Sequence, residues 1–235
     1  MSCAATYEKC GTITLPLPFH MGSVNCYLVA ASQGFILIDT GGSNSRKNLI
    51  KELENAGCKP GLLKLILITH GDFDHTGNAT YLRNLFGCRI AMHEDDLDMA
   101  QFGDMFANRK KPNILLRKLI PLFSGFGKDE RFQPDFFVKN GDDLSEHGFD
   151  ARILSIPGHS RGSIGILTAQ GDLFCGDLLE NLKTPVLGSL TDDLLAARES
   201  ILKLRDIQVN MVYPGHGKPF PMPVFMEGNL EKVHG

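Results

Sequence analysis

The segment Thr69-His70-Gly71-Asp72-Phe73-Asp74-His75-Thr76-Gly77 packs two imidazoles and two carboxylates into its His70 to His75 core. It follows Leu62 to Ile68, a nearly continuous apolar run of the kind that forms a strand buried on both faces. It runs into a helical pattern from Thr76 to Phe86, with Ala79, Leu82, Leu85 and Phe86 on one side and Gly87 as the stop. In a chain with 8 histidines, His-x-Asp-x-Asp-His is expected by chance about 0.001 times. A lone histidine is usually structural, whereas imidazoles and carboxylates this dense at the C-terminal edge of a strand point to a metal site.

Three later segments repeat the chemistry: Pro157-Gly158-His159-Ser160, Cys175-Gly176-Asp177 and Pro214-Gly215-His216-Gly217. Each follows or closes an apolar strand pattern, so all four groups are expected to converge at one end of the sheets. Four His and three Asp are too many for one tetrahedral ion and suit two ions sharing a carboxylate. His20, His93, His147 and His234 lie outside these segments and read as structural or surface residues. Arg161 reads as a substrate contact or a salt bridge, and Cys175 as buried beside Asp177.

Around the motifs, short strands alternate with helices. Cys26 to Ala30 and Phe35 to Ile38 flank the turn Ser32-Gln33-Gly34 and lead to Asp39-Thr40-Gly41-Gly42. A helix capped by Ser43 or Asn44 follows, carrying Leu49, Ile50, Leu53 and Ala56 before Gly57. Strand patterns recur at Arg89 to Met92, Phe136 to Val138, Ala151 to Ile156, Ile164 to Thr168, Leu173 to Cys175 and Val209 to Tyr213, with a helix capped by Thr191 before the last of them. Gln33-Gly34 leads to Asp39 much as Gln170-Gly171 leads to Asp177, a faint internal echo. The pattern predicts an α/β fold of two mixed sheets packed face to face with helices outside.

Residues 94–135 break this rhythm and read as an insertion. Phe102, Met105, Phe106 and Leu115 would form an apolar wall, as a lid or a dimer contact, with Arg109-Lys110-Lys111 either a solvated face or a site for an anionic tail.

The 235 residues are 43% hydrophobic and 22% charged, which excludes general disorder and suits one domain spanning residues 1–235. A net charge of −3 provides no field for a polyanion, so no nucleic-acid partner is expected. The uncharged stretch from Cys10 to Ile38 is interrupted by Pro16, Pro18, Gly22 and Gly34, so no membrane partner is expected either. The first ten residues lack the pattern of an export signal, which leads to the expectation of a cytoplasmic protein.

The segments Ile36-Leu37-Ile38-Asp39-Thr40-Gly41, Thr69 to Gly77, Pro157 to Ser160, Gly176-Asp177 and Pro214 to Gly217 resemble, in order and spacing, the successive motifs of the metallo-β-lactamase superfamily. The resemblance implies a four-layer αβ/βα sandwich with a dinuclear metal site at one edge. It places His70, Asp72, His159 and Asp177 around the first ion, and Asp74, His75, Asp177 and His216 around the second, with Asp177 bridging. Asp39 would support the site through hydrogen bonds without being a ligand. Asp74 and Asp177 are the candidate catalytic residues. The ions are expected to be divalent, zinc first, with iron or manganese as alternatives.

One position departs from the commonest family form, His-x-His-x-Asp-His: Asp72 stands in place of the second histidine. This adds a negative charge to the core, which is expected to bind a bridging hydroxide less strongly and to tolerate harder ions better. The implied activity is a hydrolase acting on a small ester, thioester or lactone, resembling glyoxalase II. Alternatives are a phosphodiesterase or a flavodiiron-like redox protein, which carries Glu at this place and draws electrons from a further domain that the stretch after His216 is too short to supply.

Overall fold

The computed structural model describes residues 10–107, 109 and 127–234. The first sheet contains β1 (Cys10–Pro16), β2 (Ser23–Ala31), β3 (Gly34–Ile38), β4 (Leu63–Leu67), β5 (Arg89–Met92) and β6 (Phe136–Phe137), side by side in chain order. Its first two pairings are antiparallel and the next three parallel. The second sheet is built from β7 (Ala151–Ser155), β8 (Ile164–Thr168) and β9 (Asp172–Gly176). After a small hairpin of β10 (Leu179–Glu180) and β11 (Val186–Leu187), the sheet is completed by β12 (Met211–Pro214) and β13 (Phe220–Pro221), in the order β13-β12-β9-β8-β7. Each sheet thus contains a hairpin whose second strand runs parallel to the next, β2-β3-β4 in one and β8-β9-β12 in the other. Gly34 and Gly171, the two turns of the sequence echo, stand at the entrances to β3 and β9.

Alternation along the strands sorts their side chains into three apolar layers. Ile36, Ile38, Leu65 and Leu67 pack with Ile153, Ile164, Ile166 and Phe174 in one cluster between the sheets. The intervening Leu37, Ile66 and Ile68 join Leu49 and Leu53 of α1 (Arg46–Asn55) in a second. The same cluster takes Leu82 and Phe86 from farther along the chain. Beyond the second sheet, Leu173, Cys175 and Val212 form a third with Ile201, Leu204 and Phe225. Three cores between four layers make an αβ/βα sandwich, and they explain why Leu62 to Ile68 reads as continuously apolar although its side chains alternate between two cores.

Several element boundaries differ from the sequence reading. The helix expected from Thr76 to Phe86 begins at Ala79 as α3 (Ala79–Phe86), and a separate short helix, α2 (Phe73–Thr76), precedes it. At the break, Asn78 Nδ2 donates to the carbonyls of Thr40 and Gly42, and a Cβ on Gly77 would lie 2.6 Å from the Ser43 backbone nitrogen. Tertiary hydrogen bonding at this close approach outweighs helix continuation. The expected caps Ser43 and Asn44 lie instead in a short 3-10 turn, Ser43–Ser45; Ser45 stands at the N-cap of α1, and the side chains of Asn44 and Ser45 donate to the Pro16 carbonyl. Of the 94–135 segment, Glu94–Asp96 forms a 3-10 turn and α4 spans Leu97–Phe102, whereas Lys110, Lys111 and Leu115 lie outside the described residues.

The helices of the last layer are α5 (Leu194–Arg205) and α6 (Met222–His234). The cap of α5 is Asp193, whose Oδ1 accepts from the Leu195 and Ala196 backbone amides, each at 3.1 Å; the hydroxyl of Thr191 donates to Gly188 instead. Asp193→Ala should therefore cost about 1 kcal/mol and lower the melting temperature by about 2–4 °C. Thr191→Ala should cost less in the same thermal melts; the reverse order would restore Thr191 as the cap.

Candidate metal centre

Five strands deliver the motif residues from their C-terminal ends: Asp39 after β3, His70 after β4, His159 after β7, Asp177 after β9 and His216 after β12. Convergence at that edge follows from the parallel β3-β4 and β9-β12 pairs and the face-to-face packing of the sheets. Of the seven residues singled out in the sequence, six are buried and His216 is half-buried.

Asp177 occupies the middle. Its Oδ1 lies 3.2 Å from His75 Nε2, and its Oδ2 lies 3.1 Å from His216 Nε2, 3.8 Å from His159 Nε2 and 3.9 Å from His70 Nε2. Asp74 Oδ2 approaches His216 Nε2 to 3.5 Å, and Asp72 Oδ2 lies 3.0 Å from His159 Nε2 and 3.5 Å from His70 Nε2. Two sets of ligand atoms, from His70, His159 and Asp177 and from Asp74, His75 and His216, each lie within 4.8 Å of one another.

Surrounding hydrogen bonds orient these rings. Asp39, at φ 58°, accepts from the Thr69 backbone amide at 2.8 Å, from the Thr69 hydroxyl at 2.7 Å and from His75 Nδ1 at 2.8 Å. The Thr69 hydroxyl, having donated to Asp39, accepts from His70 Nδ1 at 3.0 Å. His216 Nδ1 donates to the Ser23 carbonyl at 2.7 Å. All three imidazoles thereby hold their proton on Nδ1 and turn an Nε2 lone pair inward.

These lone pairs test whether a cation fits. His70 Nε2, His75 Nε2 and Asp177 Oδ1 are buried without a hydrogen-bond partner among the described residues. Bare acceptors facing each other in a dry site repel unless positive charge lies between them. Burial alone would depress the pKa of His75, yet Asp177 and Asp39 hold it well above the usual histidine range. His216, which burial also opposes, is pulled up to about 9 by Asp177. Burial would raise the Asp177 carboxyl, but His75 and His216 hold it well below the carboxylate range. A cluster that draws protons onto its imidazoles in this way has the donors and the potential to hold metal cations.

Glycine allows the closest approach. A Cβ on Gly215 would fall on Asp177 Oδ1 and lie 2.7 Å from His75 Cε1. Its backbone lies outside the left-handed region, so Gly215→Ala should disturb the site and not the turn. We expect the variant to fold and to lose bound metal by elemental analysis; full metal content would contradict this geometry.

Three residues that the motifs do not reveal complete the centre. Asp96, fully buried in the 94–135 segment, accepts from the Gly71 amide at 2.9 Å, the Ser160 hydroxyl at 2.6 Å and the Gly162 amide at 2.8 Å, tying the His70 loop to the His159 loop. Asn25 Nδ2 donates to the Pro214 and Gly217 carbonyls and so holds the His216 loop. Arg109 Nη1 lies 3.0 Å from Asp72 Oδ1 and donates to Asp72 Oδ2 at 3.1 Å. Arg109 is thus neither a solvated residue nor turned toward an external anion. None of the three carries a local periodic or spacing signal.

A cavity of about 760 Å³ opens over Asp72, Asp74, His159, Asp177 and His216. Its mouth is apolar, with Leu17, Phe19, Met21, Phe73, Leu182 and Leu190, and Met105 is the one residue of the expected apolar wall that lines it among the described residues. Phe102 is exposed. No Lys or Arg lines the cavity among the described residues. None of the described helices is long and apolar enough to cross a membrane.

The family model for the metallo-beta-lactamase superfamily matches residues 21–216. Among curated relatives, the chain is 24% identical over 209 residues to the beta-lactamase-like protein 2 homolog of Drosophila melanogaster, covering 89% of this chain and 63% of the fly protein, so it spans less than two thirds of that relative's length. It is 31% identical over 168 residues to the hydroxyacylglutathione hydrolase GloC of Haemophilus influenzae, covering 69% and 70% of the two chains. The crystal structure of TTHA1623 in a di-iron-bound form is similar at TM-score 0.68 and 25% identity, covering 90% of this chain and 96% of that one.

Proposed function

The chain belongs to the metallo-β-lactamase superfamily, and from this premise we propose that it is a metal-dependent hydrolase that cleaves a small, uncharged ester, thioester or lactone at a dinuclear centre. The observation that carries the reading is the position of Asp177 amid four imidazoles, its Oδ2 facing His70, His159 and His216 and its Oδ1 facing His75. His70, Asp72, His159 and Asp177 would hold the first ion, and Asp74, His75, Asp177 and His216 the second. Two bound divalent ions supply Lewis acidity toward the substrate oxygen and an activated water near neutral pH.

The chain's own groups do the rest. Asp74 stands on the cavity wall beside His216, where its carboxylate orients the attacking water and accepts its proton. Asp39 and Thr69 hold the His70 and His75 rings in one tautomer throughout. The apolar mouth excludes bulk water and receives the acyl group. Without a cation among the described lining residues, the mouth favours an uncharged substrate over a phosphodiester. A small-molecule substrate, in place of a nucleic-acid partner, accords with the −3 net charge.

Treatment with a strong chelator is expected to abolish hydrolysis across a panel of esters, thioesters and lactones, and added zinc to restore it; hydrolysis that persists in the metal-free protein overturns the reading. Elemental analysis of protein purified without added metal should give about two zinc or manganese ions per chain. Two irons that cycle between oxidation states, the metal present in TTHA1623, would favour the redox alternative.

A further inference from the structure

Asp72 brings to the ligand cluster a negative charge that a histidine in the same place would not. Arg109, far along the chain on the segment after α4, places Nη1 3.0 Å from one oxygen of that carboxylate and 3.1 Å from the other. Both side chains are withdrawn from water, Arg109 to 6% exposure and Asp72 to 3%. A guanidinium buried this deeply is costly unless its charge is matched. Arg109 Nε and Nη2 have no hydrogen-bond partner among the described residues, so within that set the ion pair with Asp72 is what holds the group in place. Asp72 meanwhile keeps Oδ2 directed at His159 Nε2 and His70 Nε2.

We infer that Asp72 and Arg109 act as a pair in place of the one neutral histidine, with the guanidinium cancelling the charge that the carboxylate adds. Counted over the ligands alone, Asp72 lowers the formal charge of the centre by one; Arg109 raises it by one. The core is therefore no less positive than that of the common form, contrary to what the motif alone leads one to expect. Arg109 is a positioning and charge-compensating residue that sets how strongly the cluster attracts its first ion. The inference rests on the reading of the seven side chains as a metal cage.

The test is zinc affinity, measured on metal-free protein by competition with a chromophoric chelator. Arg109→Met leaves the Asp72 charge for the ion alone and should tighten binding of the first zinc, the one held by His70, Asp72 and His159, by tenfold or more, on the order expected for removal of a nearby like charge. Arg109→Lys should stay within about threefold of the parent, since a cation is retained. Asp72→His leaves Arg109 uncompensated and should weaken zinc at least tenfold, and the double variant Asp72→His with Arg109→Met should return to about the parent affinity. If Arg109→Met does not fold alone, the gain in affinity from Asp72→His to the double variant decides, and no gain overturns the inference. Affinities that are unchanged, or that move in the same direction in both single variants, overturn the inference. A parent protein that binds no zinc at all would instead remove the metal cage on which it stands.

Discussion

Asp177→Asn should lower kcat/KM by about a thousandfold or more while leaving the fold intact. The substitution keeps the shape of the side chain and removes its charge, which isolates electrostatics from packing. Asp177 is the one residue of the centre with short contacts to four imidazoles, at 3.1 to 3.9 Å from His216, His75, His159 and His70. Each of these rings presents a lone pair or a proton to the same carboxylate, so a neutral amide weakens both halves of the cage together. Bound metal should fall with activity when both are measured on the same preparation. Full metal content and near-parent turnover in the Asp177→Asn protein would show that the carboxylate bridges nothing.

Asp39→Ala is expected to act on stability first and on metal second. The residue sits at positive φ and its carboxylate accepts three hydrogen bonds, from the Thr69 amide, the Thr69 hydroxyl and His75 Nδ1, in a site that is almost fully buried. Removing the acceptor leaves those donors unsatisfied in a dry environment, at about 3 kcal/mol in total. At about 2–4 °C per kcal/mol for a chain of this size, the melting temperature should drop by about 6–12 °C. The His75 and His70 rings would also lose the anchor that fixes their tautomer, and zinc affinity should fall about 10- to 100-fold. Thermal melts of the metal-free form and chelator competition report the two effects separately. A melting temperature within about a degree of the parent would remove Asp39 from its supporting role.

The residues most legible in the sequence were those whose signal is local. Apolar runs bounded by turn residues located the strands Gly34–Ile38 and Leu63–Leu67 to within a residue or so at each end, and the His and Asp residues were legible because they follow those strands in short, dense motifs. Asp96, Asn25 and Arg109 left no such trace. A buried aspartate that joins two loops looks, in a run such as Glu94-Asp95-Asp96, like part of a solvated acidic turn. Arg109 at the head of a basic triplet looks equally like a solvated face. The break at Gly77-Asn78 was hidden for a related reason: helical spacing continues across it, while the side chain of Asn78 is engaged by a loop more than thirty residues earlier.

Taken alone, the amino-acid sequence determined the two mixed sheets, the helices outside them and the set of ligand-competent side chains, because apolar runs, turn residues and motif density are written over a few neighbouring positions. Only the tertiary structure decided the electrostatics of the centre. Whether Asp72 stands as an uncompensated charge depends on where Arg109 arrives, and an ion pair between segments that share no periodic pattern exists only once the chain has folded around it.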